Sequence, residues 1–138
     1  MPAIRRGGAG DLAAISAIQA ASPEAAHWKP ADYLEHRLLV AIGDAGVVGF
    51  AVARAVADQE FEILNVAVAP EFRRQGIARQ LLGALFHDYH GTFFLEVRES
   101  NQAAQFCYKA LGFQCVTRRP GYYEAPPEAA IVMKFHSC

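Results

Sequence analysis

The sequence of 138 residues lacks features that define several classes of protein. Its three cysteines (Cys107, Cys115, Cys138) are odd in number and lack the spacing of zinc ligands. No apolar run is long enough to span a bilayer, and the N-terminus has no signal-peptide core. His87 and His90 share a predicted helix face without further metal ligands. We therefore expect no disulfide framework, no metal site, no membrane partner and a cytoplasmic location.

An excess of charge of one sign is also missing. Thirteen lysines and arginines oppose 14 aspartates and glutamates, which gives a net charge of −1. This balance offers no electrostatic reason to expect nucleic acid as a partner. Hydrophobic residues make up 53% and charged residues 20%, as in ordinary globular proteins. Without repeats or long linkers, residues 1–138 are expected to form a single domain, as a monomer or weak dimer.

What the chain does have is a regular alternation of apolar patterns. Apolar residues that alternate with polar ones, or that form short continuous runs, predict strands over residues 3–6, 39–42, 47–56, 60–68, 92–98, 113–118 and 130–135. Helical periodicity predicts helices over 12–21, 30–38, 77–89 and 101–111, with a Pro/Gly/Tyr loop before the last strand. This order predicts an α/β fold in which a mixed sheet of about seven strands is flanked by about four helices.

The turn between the 60–68 strand and the next helix carries the first functional motif, Arg73-Arg74-Gln75-Gly76-Ile77-Ala78, followed by Arg79. A small-residue turn at a helix start leaves backbone N–H groups unpaired at the positive end of the helix dipole, which favours a bound phosphate. The turn has neither the Gly-Lys-Ser/Thr ending of a Walker loop nor the three glycines of a dinucleotide-binding loop. The alternative interpretation is an ordinary helix start with solvated arginines.

Two further motifs follow this turn at fixed distances. They are Leu95-Glu96-Val97-Arg98-Glu99-Ser100-Asn101 and Tyr108-Lys109-Ala110-Leu111-Gly112-Phe113. With the Arg-x-x-Gly-x-Ala turn, they resemble the GNAT N-acetyltransferases, and in particular the RimI-like subgroup that acetylates the N-terminal alanine of a ribosomal protein. The resemblance implies the GNAT fold, acetyl-CoA as co-substrate without a metal, and a protein or peptide N-terminus, such as that of a ribosomal protein, as acceptor.

The resemblance also assigns two catalytic residues. Acetyl transfer to an amine needs a base for the protons of the incoming ammonium and an acid for the departing thiolate. Glu96 is the expected base, because a carboxylate surrounded by the apolar residues of a strand accepts a proton more readily than one in water. Tyr108 is the expected acid, since a phenol of pKa ~10 can protonate a thiolate with only a modest penalty. The alternatives are an ion-paired Glu96 and a half-buried helix tyrosine.

The expected cofactor-binding residues follow from the same resemblance. The backbone of Val66, Ala67 and Val68 would pair with the pantetheine arm like an added strand. The turn residues Arg73, Arg74, Gln75, Gly76, Ile77, Ala78 and Arg79 would hold the pyrophosphate. Asn101 would contact the pantetheine arm, although an asparagine at this position is also a good helix N-cap.

The acceptor site is expected between the Ala26-His27-Trp28-Lys29 segment and the Pro120-Gly121-Tyr122-Tyr123 loop. Trp28, Tyr122 and Tyr123 match aromatic residues of similar enzymes. His27, the extra Gly121 and Ala129 in place of an acidic residue depart from that pattern. The sequence therefore leaves open a lysine side chain or a small amine as acceptor, and also a non-catalytic acyl-CoA-binding or partner-binding domain.

Overall fold

The computed structural model describes residues 2–22, 28–124 and 126–137. Within these ranges, the strands are β1 (Ala3–Arg6), β2 (Arg37–Gly43), β3 (Gly46–Ala57), β4 (Glu60–Val68), β5 (Gly91–Arg98), β6 (Gln114–Glu124) and β7 (Pro127–Ser137). These seven strands form one sheet in the order β1-β2-β3-β4-β5-β7-β6. The helices are α1 (Leu12–Ala20), α2 (Ile77–Asp88) and α3 (Gln102–Ala110), with a two-turn 3-10 helix at Pro30–Glu35. The predicted mixed α/β sheet with about four flanking helices is confirmed.

The parallel pair β4–β5 is the feature of the sheet that matters most for function. Its register covers only Glu60 with Thr92, Phe61 with Phe93, and Glu62 with Phe94. Beyond these residues the two strands separate. A bulge in β4 accompanies the separation. Val52 of β3 pairs with Asn65 and Ala53 pairs with Ile63, which leaves Leu64 as an extra residue in β4. The sheet is therefore open between its two central strands.

Two apolar cores cover the two faces of the sheet. The core under α2 contains Leu81, Leu82 and Leu85, which are fully buried and pack with Leu95 and Val97 of β5. The core under α1 contains Ile15, Ile18 and Tyr33, which pack on Val40, Phe50 and Val52. Truncating one such leucine to alanine typically costs about 2–5 kcal/mol, so these cores contribute strongly to the stability of the open sheet.

The second predicted helix is wrong at its C-terminal end. Only Pro30–Glu35 is helical, and it is a 3-10 helix. His36 is extended (φ −121°), and Leu38 belongs to β2, where it pairs with Val52 and is buried under α1. The apolar spacing fitted a helix, but strand pairing with β3 decided the conformation of Leu38.

The predicted loop before the last strand is also wrong, because most of it belongs to the β6–β7 hairpin. Arg119 pairs with Ala130 and Tyr123 pairs with Glu128, which leaves two extra residues in β6. The bulge contains Pro120 and Gly121, the latter at φ +65°. A proline without an N–H and a glycine at positive φ are tolerated where ladder hydrogen bonds are interrupted.

No helix in the described ranges is both long and apolar enough to cross a bilayer.

Candidate active site

The opening between β4 and β5 forms a cleft of about 840 Å³. The cleft is bounded by the start of α2 and by α3 as well as by the two strands. Its lining includes eleven residues that were predicted from the sequence as site residues: Trp28, Val66, Ala67, Val68, Arg73, Ala78, Glu96, Asn101, Tyr108, Tyr122 and Tyr123. The fold thus gathers residues from Trp28 to Tyr123 around one opening in the sheet.

The open edge of β4 offers backbone groups to the cleft. Ala69 N donates to Val48 O at 2.8 Å, which marks these two as a hydrogen-bonded pair of the β3–β4 ladder. Because such pairs alternate along an antiparallel ladder, the backbone groups of Val66 and Val68 point away from β3, toward the cleft. This arrangement suits an extended ligand that pairs with the strand edge.

The turn before α2 has the geometry of an anion site. Gly76 is the N-cap of α2 with φ +79°, and Arg74 also has a positive φ of 65°. The first intrahelical bond runs from Gln80 N to Gly76 O at 3.0 Å, so the N–H groups of Ile77, Ala78 and Arg79 have no partner within the helix. Buried Ile77 anchors the turn, while Gln75 and Arg79 are exposed. Arg74, Gln75, Gly76, Ile77 and Arg79 lie outside the cleft lining.

Arg73 differs from the other turn arginines, because its guanidinium is bound by the protein. Its Nε donates to Val68 O at 3.0 Å, and its Nη2 donates to Ala21 O at 3.2 Å and to Ser22 Oγ at 3.0 Å. These bonds tie the turn to β4 and to the end of α1. The side chain of Arg73 therefore fixes the shape of the turn, in addition to lining the cleft.

Glu96 enters the cleft from the α1 side of the sheet. Its neighbours Leu95 and Val97 belong to the core under α2, and successive strand residues point to opposite faces. Glu96 Oε1 lies 3.6 Å from Arg119 Nη1, and the Glu96 side chain is 18% exposed. The other oxygen, Oε2, is buried without a hydrogen-bond partner in the described part of the chain.

Tyr122 completes this group. The Arg119 guanidinium lies over its ring, 4.6 Å from the centroid. Hydrogen bonding to Glu96, followed by burial, raises the pKa of Tyr122 to about 12. The Tyr122 hydroxyl is therefore protonated at neutral pH and directed toward the carboxylate. Tyr123, whose ring is covered by the Arg98 guanidinium at 4.2 Å, continues the same wall of the cleft.

Tyr108 enters the cleft from the other face of the sheet. Its ring packs against Phe113 at 5.6 Å, at the margin of the core under α2. Burial raises the pKa of Tyr108, so its hydroxyl holds its proton throughout the neutral range. Asn101, at the start of the same helix, caps it by accepting from Ala104 N at 3.1 Å while it lines the cleft.

Trp28 lines the cleft and is 43% exposed. Its carbonyl accepts from Gln19 Nε2 at 2.7 Å. Gln19 Oε1 in turn accepts from Tyr33 Oη at 2.6 Å and from Asn65 Nδ2 at 3.2 Å. This buried network joins Trp28 to the β4 bulge. The other predicted residues of this segment, Ala26 and His27, lie outside the described residues.

Sequence reasoning missed several residues of the site. Glu62 lines the cleft and forms an ion pair with Arg54 of β3. Arg119, Gln19 and Asn65 were not singled out either. A usable signal was present for Glu62, Gln19 and Asn65, because each of these side chains interrupts an apolar strand or helix pattern, where an unpaired polar group is costly. Arg119 gave no such signal, because it follows Arg118 in a polar stretch.

A metal centre finds no support in the described ranges, which contain no group of three or more His, Cys, Asp or Glu side chains that could hold an ion. His87 Nδ1 instead lies 3.3 Å from Asp88 Oδ1 on the exposed end of α2.

Comparison with known proteins agrees with this geometry. The acetyltransferase (GNAT) family model matches residues 3–113. The [ribosomal protein bS18]-alanine N-acetyltransferase of Haemophilus ducreyi is 37% identical over 97 residues, which are 65% of this chain and 66% of that protein. Its Escherichia coli K12 counterpart is 40% identical over 93 residues, 63% of this chain and 62% of that protein. The matched segment thus spans slightly less than two thirds of either relative.

The fold extends the similarity beyond that segment. The crystal structure of the ribosomal-protein-S18-alanine N-acetyltransferase from Escherichia coli superimposes with a TM-score of 0.83. The alignment is 30% identical and covers 99% of this chain and 94% of that chain. Fold, cleft and family model agree, and the chain belongs to the GNAT family of acetyltransferases.

Proposed function

We propose that this protein transfers the acetyl group of acetyl-CoA to the N-terminal α-amine of a protein, with a ribosomal protein as the candidate acceptor. The observation that carries the proposal is the opening in the sheet, which Glu96 enters from the α1 face and Tyr108 from the α2 face. Similarity to bS18-alanine N-acetyltransferases supports the acceptor class.

The residues present fit acetyl-CoA. The α2 turn, with its unpaired N–H groups and the exposed Arg74 and Arg79, suits a pyrophosphate. At the outer edge of β4, the backbone of Val66 and the N–H of Val68 suit the amides of a pantetheine arm, whereas Val68 O already accepts from Arg73. Asn101 lies beside that path. We name these groups, together with Tyr108, the cofactor side. Acetyl-CoA would supply there the thioester that carries the acetyl group.

The opposite group of residues forms the acceptor side, which we define as Glu96, Arg119, Tyr122, Tyr123 and Trp28. Glu96 would take a proton from the incoming amine, directly or through water, since its side chain lines the cleft and is 18% exposed. The aromatic side chains would exclude water around the peptide. Tyr108, kept protonated by burial, would hold the proton for the departing sulfur.

The test is acetyl transfer measured by intact mass. Purified protein is incubated with acetyl-CoA and an alanine-first peptide without lysine, beside a twin that is blocked at its N-terminus and contains one lysine. A gain of one acetyl group on the free peptide alone is the expected result. Glu99→Gln serves as the control for Glu96→Gln, because Glu99 forms an exposed ion pair with Arg118 outside the cleft lining.

The other results contradict the proposal in distinct ways. Acetylation of the blocked twin alone would assign the protein to lysine or small-amine acetylation. Binding of acetyl-CoA without any product, in calorimetry and mass spectrometry together, would indicate a non-catalytic acyl-CoA-binding domain.

A further inference from the structure

The acceptor side contains a cation that the reaction as described does not use. Arg119 pairs with Glu96 at 3.6 Å and covers the ring of Tyr122 at 4.6 Å. Its side chain is 55% exposed and lies beside the cleft, because it contacts two residues of the cleft lining, Glu96 and Tyr122. A guanidinium beside a general base is unexpected, because it competes with the ammonium that the base must deprotonate.

The charges around Glu96 balance almost completely. From β6 the groups facing it are Arg119, Tyr122 and Tyr123, and from α3 it is Tyr108. From β4 comes Glu62, which is neutralised by Arg54 of β3. From β5 itself comes Arg98, on the same face as Glu96, and it is paired with Glu128 at 3.3 Å. Three carboxylates thus lie with three guanidinium groups around this side of the cleft, and the tyrosines are neutral. The entrance as a whole has no excess negative charge to attract a cation.

We propose that Arg119 is a selectivity residue, which cancels the charge of Glu96 so that the acceptor side favours an amine arriving uncharged over one arriving as a cation. This inference rests on the proposed function. An N-terminal α-amine, with pKa ~7.7–8.0, is uncharged to an appreciable extent at neutral pH, whereas a lysine amine, with pKa ~10.4, is a cation. The Glu96–Arg119 pair would therefore help the site to choose N-termini over lysine side chains.

Loss of the Arg119 guanidinium would change the protonation of the bound acceptor. Without the guanidinium, Glu96 becomes an uncompensated carboxylate, and a nearby opposite charge stabilises the ammonium form of the bound acceptor. The bound amine then loses its proton only at higher pH. Since the Arg119 side chain is 55% exposed, solvent weakens the interaction, and we expect a small shift of about 0.5–1 pH unit.

The experiment compares Arg119→Gln with wild type on the alanine-first peptide, with kcat and KM measured separately from pH 6 to 9. The pH dependence of kcat reports ionisations in the enzyme–substrate complex. We expect the acid limb of kcat to move to higher pH, so that kcat at pH 7 falls about three- to tenfold and recovers near pH 9. KM for the peptide should fall, because the ammonium binds more tightly. A merely structural role would raise KM and lower kcat at every pH.

Three variants serve as comparisons. Arg119→Lys keeps the charge and should restore the wild-type pH profile. Arg119→Met keeps the aliphatic contact with Tyr122 without charge and should repeat the effect of Arg119→Gln, so either variant is decisive if the other fails to fold. Arg118→Gln is the matched control, because Arg118 is adjacent in sequence but pairs with Glu99 instead, with Nη2 3.0 Å from Glu99 Oε1.

The outcomes separate this inference from the proposed function. If wild type acetylates the alanine-first peptide but both uncharged variants keep its pH profile and its preference over the lysine twin, Arg119 is not a selectivity residue. The same conclusion follows if Arg118→Gln shifts the profile equally. If wild type acetylates neither peptide, the proposed function itself fails.

Discussion

The cofactor side and the acceptor side of the cleft are built in different ways. The cofactor side consists largely of backbone groups: the N–H groups at the start of α2 and the free edge of β4. The acceptor side consists of side chains, and its central contact joins Glu96 of β5 to Arg119 of β6. Backbone recognition constrains only a few sequence positions, such as Gly76. Side-chain recognition can change with single substitutions, so one fold can keep its cofactor and vary its acceptor.

Removing the proposed catalytic groups would test whether the cofactor side and the acceptor side take part in the same reaction. We expect Glu96→Gln and Tyr108→Phe each to lower kcat by about 10²–10⁴-fold, the usual contribution of a positioned acid or base. Calorimetry should show acetyl-CoA binding retained in Glu96→Gln. Because burial raises the pKa of Tyr108, wild-type kcat should show no alkaline limb from this residue up to about pH 10. Wild-type turnover in both variants would contradict the assignments.

Substitution at the α2 turn should affect the cofactor side alone. Gly76 has φ +79°, and an alanine in a left-handed conformation costs roughly 1–2 kcal/mol. We expect Gly76→Ala to weaken acetyl-CoA binding about tenfold by calorimetry, with peptide KM unchanged. Gly83→Ala is the matched control, because Gly83 lies within α2 and a Cβ there meets no atom within 4 Å. Equal affinities for acetyl-CoA in the two variants would show that the turn does not hold it.

The buried network behind Trp28 should affect the acceptor side through positioning. Tyr33→Phe removes the 2.6 Å bond to Gln19, and the loss of a buried hydrogen bond costs about 1–3 kcal/mol. We expect Tm to fall by several degrees and peptide KM to rise about threefold, with acetyl-CoA affinity unchanged. Tyr89→Phe is the control, since its ring packs on Phe61 outside the network. An unchanged peptide KM would limit the network to a role in stability.

The smallest expected effect concerns Glu128. It pairs with Arg98, whose guanidinium covers the ring of Tyr123 on the acceptor side. Hydrogen bonds from the Ser100 hydroxyl and backbone N–H, and then from Arg98, lower the pKa of Glu128. A lowered folded-state pKa stabilises the fold above the unfolded value, near 4.5, and this contribution disappears as pH falls through the folded value. Glu128→Gln should lower kcat/KM at pH 7 by roughly two- to threefold. Its Tm deficit should shrink below pH 4 in thermal melts, and a deficit independent of pH would refute the linkage.

Sequence reasoning succeeded where structure is local. The strand-to-helix turn at Gly76 and the N-cap at Asn101 depend on residues within a few positions of one another, and the structure has both. It failed at Leu38 and at the β6–β7 bulge, where pairing with a distant strand overrode the local pattern. Catalytic roles for Glu96 and Tyr108 came from resemblance and stay predictions.

By itself, the sequence determined the alternation of strands and helices, the buried faces and the phosphate-type turn, because periodicity and turn chemistry act over short distances. Only the tertiary structure decided that β4 and β5 part after three residue pairs, and that Arg119 lies against Glu96. It also decided that Gln19 and Asn65, 46 residues apart, share a buried network. Such contacts depend on how whole strands pair and pack, which no short stretch of sequence specifies.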